Sequence, residues 1–201
     1  MVADKLSVVV QAGGESRRMG QDKGLLPLFG GTLIERVLER VRPIADEVLV
    51  TTNNPESYRF LKVPLIPDVY LGRGALGGLY TAINAAAHPL VAVVACDMPF
   101  VNADLLNYQR ELLISTHSDV VIPHTGGGLE PFHTLYRRST CLPAIEAALE
   151  EDKWRVDAWF SHVKLYQLSP QQIKNFDPEM LCFFNINTPE DLQTALQIAL
   201  N

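Results

Sequence analysis

Apolar residues along the chain follow two periods, which divide it into strands and helices. Runs rich in β-branched residues and bounded by turn residues predict strands, and apolar residues recurring at three and four predict helices. The first strand is expected over 6–11, and a glycine-rich loop follows from Ala12 to about Gly31. A helix is expected over 32–42, where Thr32 is the N-cap and Glu35, three residues on, completes a capping box. Strands follow over 47–51 and 63–66, then a helix over 75–87 and a strand over 90–95. The unbroken apolar character of that last strand suits burial on both faces. Beyond it the pattern predicts a helix over 104–115 and strands over 119–123 and 131–137, which belong either to a mixed sheet or to an edge hairpin. A helix over 140–151 follows, then strands over 164–168 and 182–186. A final helix is expected over 188–200, with Pro189 in its first turn and Asp191 close behind.

Strand–helix alternation of this kind predicts an α/β fold built on a doubly wound, mostly parallel or mixed sheet of Rossmann-like form. With no internal repeat or linker, residues 1–201 read as a single domain. Ligands in such sheets bind beyond the carboxyl ends of the strands. Here those ends hold the glycine loop, residues 51–54, Asp68 and Asp97.

Composition narrows the function classes. The chain carries 17 Lys and Arg against 23 Asp and Glu, a net charge of −6, which opposes a broad nucleic-acid-binding face. No apolar run approaches the roughly 18 residues that span a bilayer, and the N-terminus lacks an extended apolar stretch with a cleavage site, so no membrane role and a cytoplasmic location are expected. Cys96, Cys141 and Cys182 are widely spaced and predict buried thiols, not a disulfide or zinc framework. The five histidines never fall at metal-ligand spacing.

The chemistry concentrates in Gln11-Ala12-Gly13-Gly14-Glu15-Ser16-Arg17-Arg18-Met19-Gly20-Gln21-Asp22-Lys23. Glycines allow backbone amides to approach phosphate oxygens, and arginine and lysine neutralise the charge of a triphosphate and of departing pyrophosphate. The spacing is neither GxxxxGK[ST] nor GxGxxG, and no acid closes the second strand, so a dinucleotide site is disfavoured. Asp97, after the most apolar strand, offers a hard oxygen for Mg²⁺, or alternatively caps the turn before Pro99. Ser16 lacks visible triad partners. Trp154 and Trp159 are open to two readings, as a stacking surface for a pterin or as core and subunit contacts.

The block Ala12-Gly13-Gly14-x-Ser16-x-Arg18-Met19-Gly20-x-Asp22-Lys23 resembles the signature loop of the molybdenum cofactor guanylyltransferases, members of the nucleotide-diphospho-sugar transferase superfamily. Ile66-Pro67-Asp68, Gly74-Ala75-Leu76-Gly77-Gly78-Leu79, Cys96-Asp97-Met98-Pro99-Phe100 and Asn185-Ile186-Asn187-Thr188-Pro189-Glu190-Asp191-Leu192 resemble later motifs of that family, in order. The resemblance implies that the Gln11, Ala12 and Gly13 backbone contacts the nucleotide, with Gly14 next in the same loop, that Lys23 binds it, and that Asp68 helps hold the guanosine part; guanine's N1–H and 2-amino donors need acceptors, which Asn53 and Asp68 could supply. It also implies that Asp97 binds both nucleotide and Mg²⁺; on electrostatic grounds Arg18 and Lys23 would stabilise the charge on the leaving pyrophosphate. Gly77, Gly78, Asn185 and Asn187 are implied on the acceptor side, or else serve packing and capping. Glu130, Pro131 and His133 resemble a segment near the acceptor. Two positions depart from the family pattern: Gln11 stands where leucine is commoner, and the expected second-strand asparagine falls on Thr51 in register, with Asn53 two residues later.

The implied activity is transfer of GMP from GTP to the phosphate of Mo-bound molybdopterin, with a nucleotide half over about 1–100 and an acceptor half over about 101–201. Molybdenum-insertion proteins or molybdoenzyme chaperones are the implied partners. Two alternatives stand beside it: a cytidylyl- or sugar-phosphate nucleotidyltransferase of the same superfamily, and a carrier of molybdopterin or nucleotide without turnover. Gly13-Gly14 after Ala12 favours the guanylyl branch, because cytidylyl relatives usually carry Ala-Ala-Gly.

Overall fold

The structure, a computed structural model, describes residues 4–13 and 22–198. It is organised around one seven-stranded sheet. Strand β1 (Leu6–Gln11) lies near the middle, paired in parallel with β4 (Glu47–Thr51) on one side and β6 (Leu90–Ala95) on the other. Beyond β4 comes the two-residue β5 (Leu65–Ile66). Beyond β6 come β8 (His133–Arg137), β7 (Val120–Pro123) and β9 (Leu165–Leu168), and β8 runs antiparallel to both of its neighbours. The expected α/β fold with a mixed sheet is therefore present, and β8 lies inside the sheet and not at its edge. A separate small hairpin joins β2 (Pro27–Leu28) and β3 (Gly31–Thr32) within the stretch expected as loop. Phe29 (φ 50°) and Gly30 (φ 80°) at its tip both take positive φ, as a two-residue hairpin turn demands.

Helices cover both faces. Helix α1 (Leu33–Val41) starts at the expected Thr32–Glu35 capping box, where Glu35 accepts the Thr32 backbone N–H at 2.7 Å. These bonds hold the Glu35 carboxyl below its ordinary pKa. Short α2 (Pro55–Tyr58) follows β4, α3 (Gly74–Ala85) leads into β6, and α4 (Ala103–Ser115) leads into β7. After β8 come α5 (Arg138–Glu150), short α6 (Pro170–Lys174) and α7 (Pro189–Ile198). No described helix is long and apolar enough to cross a membrane.

The alternation of side chains along a strand decides what each face meets. Val8, Val10 and Ala12 enter one core with Ile34, Val37, Leu105 and Leu106 of α1 and α4. Val9 enters the other, with Leu76, Leu79 and Ile83 of α3 and Ile145 of α5. Gln11 shares the parity of Val9 and so continues the α3 face to the end of the strand.

Two expected elements differ. The strand over 63–66 shrinks to Leu65–Ile66, because Pro64 has no N–H and contributes only its carbonyl, which accepts from Val50 at 2.9 Å. The stretch 182–186 is not a strand: Leu181–Phe183 form a 3₁₀ turn, and the backbone finds other partners. Cys182 N–H donates to Asp177 Oδ2 at 2.7 Å, and Ile186 N–H donates to the Asp97 carbonyl at 2.9 Å. Cys96, Cys141 and Cys182 are buried free thiols, as expected.

Candidate active site

The strand order reverses between β1 and β6, since the chain leaves β1 toward β4 and β5 and returns through α3 to β6. A crevice opens at such a switch point, beyond the carboxyl ends of the two strands. Their ends stay bonded as far as Cys96, whose N–H donates to the Gln11 carbonyl at 2.9 Å, while Ala12 N–H donates to Thr51 at 2.8 Å on the other side. Past those bonds the chains separate, with Gly13 leaving β1 and Asp97 leaving β6.

On the β6 side three groups converge. Lys23 Nζ lies 3.1 Å from Asp97 Oδ2 and donates to Asn187 Oδ1 at 2.6 Å. Both members of the ion pair are about one-fifth exposed, open enough to meet a ligand. Lys23 and Asn187 are each held from behind. Asp22 accepts the Gly24 N–H at 3.2 Å and the hydroxyl of fully buried Tyr58, which fixes the turn that carries Lys23. Burial first, and then the bond to Asp22, raise the Tyr58 pKa well beyond its usual value, so the phenol remains a donor. Asp191 Oδ2 accepts the Asn187 and Thr188 N–H groups at 2.9 and 2.8 Å, and the Asn187 amide is the first cause of its lowered pKa. Buried Cys96 beside Asp97 has its thiol pKa pushed up by desolvation, which removes it as a nucleophile.

On the β4 side Asn53 and Asp68 form a reciprocal pair. Asn53 Nδ2 donates to Asp68 Oδ2 at 2.7 Å, and Asp68 N–H donates to Asn53 Oδ1 at 3.0 Å. A Cβ built on Gly13 would stand 4.0 Å from Asp68 Oδ2, so Gly13 passes directly by this pair. Thr51 is buried within the sheet, and Asn53 is the exposed amide that reaches the crevice.

The expected site residues therefore gather in two clusters flanking the start of the glycine loop, with the exceptions that follow. Gly14 and Arg18 lie outside the described residues. Gly77 is buried, and a Cβ there would stand 2.7 Å from Arg73 Cβ and 3.0 Å from the Tyr70 carbonyl, a close packing of α3 on the preceding loop. Gly78 faces the Gln11 amide, 3.2 Å from where its Cβ would be. Asn185 donates to the Phe183 carbonyl at 2.9 Å, a local turn contact, whereas Asn187 joins Lys23. Trp159 is fully buried with its indole N–H on the Val156 carbonyl, so it belongs to the core and offers no pterin surface. Trp154 is half exposed beneath the Arg73 guanidinium, 5.1 Å away. His133 is buried among Phe183 and α4, its Nε2 accepting the Asn102 N–H at 3.3 Å. Glu130 borders a shallow cavity of about 320 Å³ with Thr125, Glu179 and Phe184, and burial raises its carboxyl pKa.

No group of three or more potential metal ligands occurs among the described residues. That arrangement still suits Mg²⁺, which binds through one or two carboxylates and completes its shell with phosphates and water. Lys23 occupies Asp97 Oδ2 and leaves Oδ1 as the hard oxygen.

A doubly wound sheet with a glycine loop, a lysine and a carboxylate at its switch point defines a nucleotidyltransferase. Residues 8–164 match the family described as the MobA-like NTP transferase domain. Over 96% of the chain, the sequence is 34% identical to the probable molybdenum cofactor guanylyltransferase of Peptoclostridium acidaminophilum and 32% identical to the molybdenum cofactor guanylyltransferase of Desulfosudis oleivorans, covering 89% and 95% of those proteins. The crystal structure of molybdopterin-guanine dinucleotide biosynthesis protein A from Archaeoglobus fulgidus superposes with a TM-score of 0.83 at 28% identity, covering 96% of this chain and 98% of that one. The chain belongs to the molybdenum cofactor guanylyltransferase family.

Proposed function

We propose that this protein transfers GMP from GTP to the phosphate of Mo-bound molybdopterin in the cytoplasm. The observation that carries the reading is the meeting of Lys23 and Asp97 at the switch point, beside the loop that leaves β1. A phosphate oxygen of the acceptor attacks the α-phosphorus of GTP. The bond from that phosphorus to the bridging oxygen of the β-phosphate breaks, and pyrophosphate leaves with the electron pair. No covalent enzyme intermediate is needed, so the protein's contribution is placement and charge.

The Asn53–Asp68 pair supplies acceptors suited to the N1–H and 2-amino groups or to the ribose of GTP. The backbone from Gln11 to Gly14 contacts the nucleotide, with the Ala12 N–H itself committed to the Thr51 carbonyl. Lys23 neutralises the charge that accumulates on pyrophosphate, a role sequence also gives Arg18. Asp97 would hold Mg²⁺, and the bound ion supplies further neutralising charge along the triphosphate. The C-terminal segment would carry the acceptor side, with Asn187 at the junction because it already touches Lys23. Gly78, Asn185 and Gly77 would shape the crevice through backbone placement. In this scheme residues 1–100 chiefly serve the nucleotide and residues 101–201 the acceptor, which molybdenum-insertion proteins or molybdoenzyme chaperones deliver or receive.

The purified chain with Mg²⁺ is tested against GTP, ATP, CTP and UTP by thermal stabilisation, since a ligand that binds only the folded state raises Tm by mass action. GTP is expected to give the largest rise. A larger rise with CTP would replace this reading with a cytidylyltransferase.

A further inference from the structure

The side-chain amide nitrogen of Gln11 is fully buried at the carboxyl end of β1 and has no hydrogen-bond partner among the described residues. A buried donor left unpaired costs about 1–3 kcal/mol, so its persistence at a strand end that opens onto a binding crevice needs a reason. The surroundings supply one. Strand parity turns Gln11 toward α3, and there Gly78 makes the room: a Cβ at position 78 would stand 3.2 Å from Gln11 Nε2 and 3.8 Å from Cδ. Two residues further along the chain, Gly13 passes Asp68.

The Asn53–Asp68 pair presents the Asp68 carboxylate to a base and commits the Asn53 Oδ1 and one of its two Nδ2–H donors to Asp68. Guanine has a donor edge, N1–H and the 2-amino group, and next to it an acceptor, O6. A carboxylate reading the donor edge leaves O6 in need of a donor, and Gln11 holds one on the same side of β1. Adenine carries an amino group where guanine has O6, so a donor at this point repels the wrong purine as well as binding the right one.

We propose that the Gln11 side-chain amide, in the space left by Gly78, donates a hydrogen bond to O6 of the guanine base and so adds to purine specificity. This rests on the guanylyltransferase reading and assigns to the side chain a role beyond that of its backbone.

The test compares binding of GTP, 6-thio-GTP and ITP, by calorimetry with Mg²⁺, in the intact chain and in Gln11→Leu. Replacing O6 by sulfur weakens the acceptor and keeps N1–H and the 2-amino group, whereas ITP keeps O6 and lacks the 2-amino group. The native chain is expected to bind GTP about tenfold more tightly than 6-thio-GTP. In Gln11→Leu that gap closes to within about twofold, while the gap between GTP and ITP is unchanged. Gln11→Met, of similar length and without a donor, gives the same pattern and replaces the leucine variant if that one fails to fold. An undiminished 6-thio-GTP gap in the variant overturns the proposal, and so does an equal collapse of both gaps, which would mark Gln11 as a packing group. A native chain that does not favour GTP over the other three triphosphates overturns the guanylyl reading itself, independently of Gln11.

Discussion

Lys23 and Asp97, 74 residues apart in sequence, stand 3.1 Å from one another where β1 and β6 diverge. The pair ties the end of the glycine loop to the end of the central apolar strand, and Asn187 binds the same ammonium from the C-terminal segment. The β6 end and the C-terminal segment thus share one cation. Lys23→Met removes the charge while keeping most of the side chain. Its kcat/KM for GTP is expected to fall by at least about 10²-fold, since a charged group acting on a developing anion contributes a few kcal/mol. Steady-state kinetics with acceptor present measure this, and a change below threefold would separate Lys23 from the chemistry.

Tyr58 acts on Lys23 at one remove, through Asp22. Tyr58→Phe leaves an Asp22 oxygen without its phenolic donor and loosens the turn that carries the lysine. A rise in KM for GTP of a few fold is expected, together with a loss of roughly 1 kcal/mol of stability. Asp22→Asn, which keeps an acceptor oxygen for the Gly24 N–H, should perturb KM less. Equal kinetics in native protein and Tyr58→Phe would mean the loop is held by other contacts.

Gly77 and Gly78 separate cleanly by what a methyl group would meet. Gly77→Ala places Cβ against Arg73 Cβ and the Tyr70 carbonyl, so it is expected to destabilise by about 1–3 kcal/mol, visible in urea unfolding. Gly78→Ala meets only the end of the Gln11 side chain, so its effect should appear in GTP affinity and much less in stability. The reverse assignment of effects would contradict this division of roles.

How much of this was legible in sequence depends on whether the signal was local. The unbroken apolar runs of β1 and β6, the Thr32–Glu35 box and the motif spacing placed most elements and both halves of the Lys23–Asp97 pair on the correct edge. The insertion of β8 between β6 and β7 is a long-range pairing that no local pattern encodes. The β2–β3 hairpin turns on Phe29-Gly30, which lacks the asparagine or aspartate that usually marks such a turn. Helix α6 did carry a readable signal, because Ser169-Pro170-x-Gln172 forms a capping box with proline in the first turn. The link from Asn187 to Lys23, the Tyr58–Asp22 bond and the buried Gln11 amide were invisible, since each depends on which side chains meet across the folded chain.

Acid stability follows from His133. Desolvation lowers its pKa to about 4, against an ordinary value near 6.5, and the ring is fully buried. The unfolded chain therefore binds the extra proton first. Stability from keeping this imidazole neutral is complete above about pH 6.5 and is lost as pH falls through the window toward about 4. The loss amounts to about 3 kcal/mol across the window. His133→Gln, which stays neutral and can still accept the Asn102 N–H, should flatten that part of the Tm profile. An identical profile in the variant would assign the acid sensitivity to other groups.

The central claim, that Lys23 and Asp97 drive displacement of pyrophosphate, is tested most directly by pyrophosphate release from GTP with molybdopterin and Mg²⁺ present. The native chain should release pyrophosphate in step with acceptor consumption, Asp97→Ala should release none above background, and Lys23→Ala should be strongly slowed. Native rates in folded Asp97→Ala protein would contradict the account.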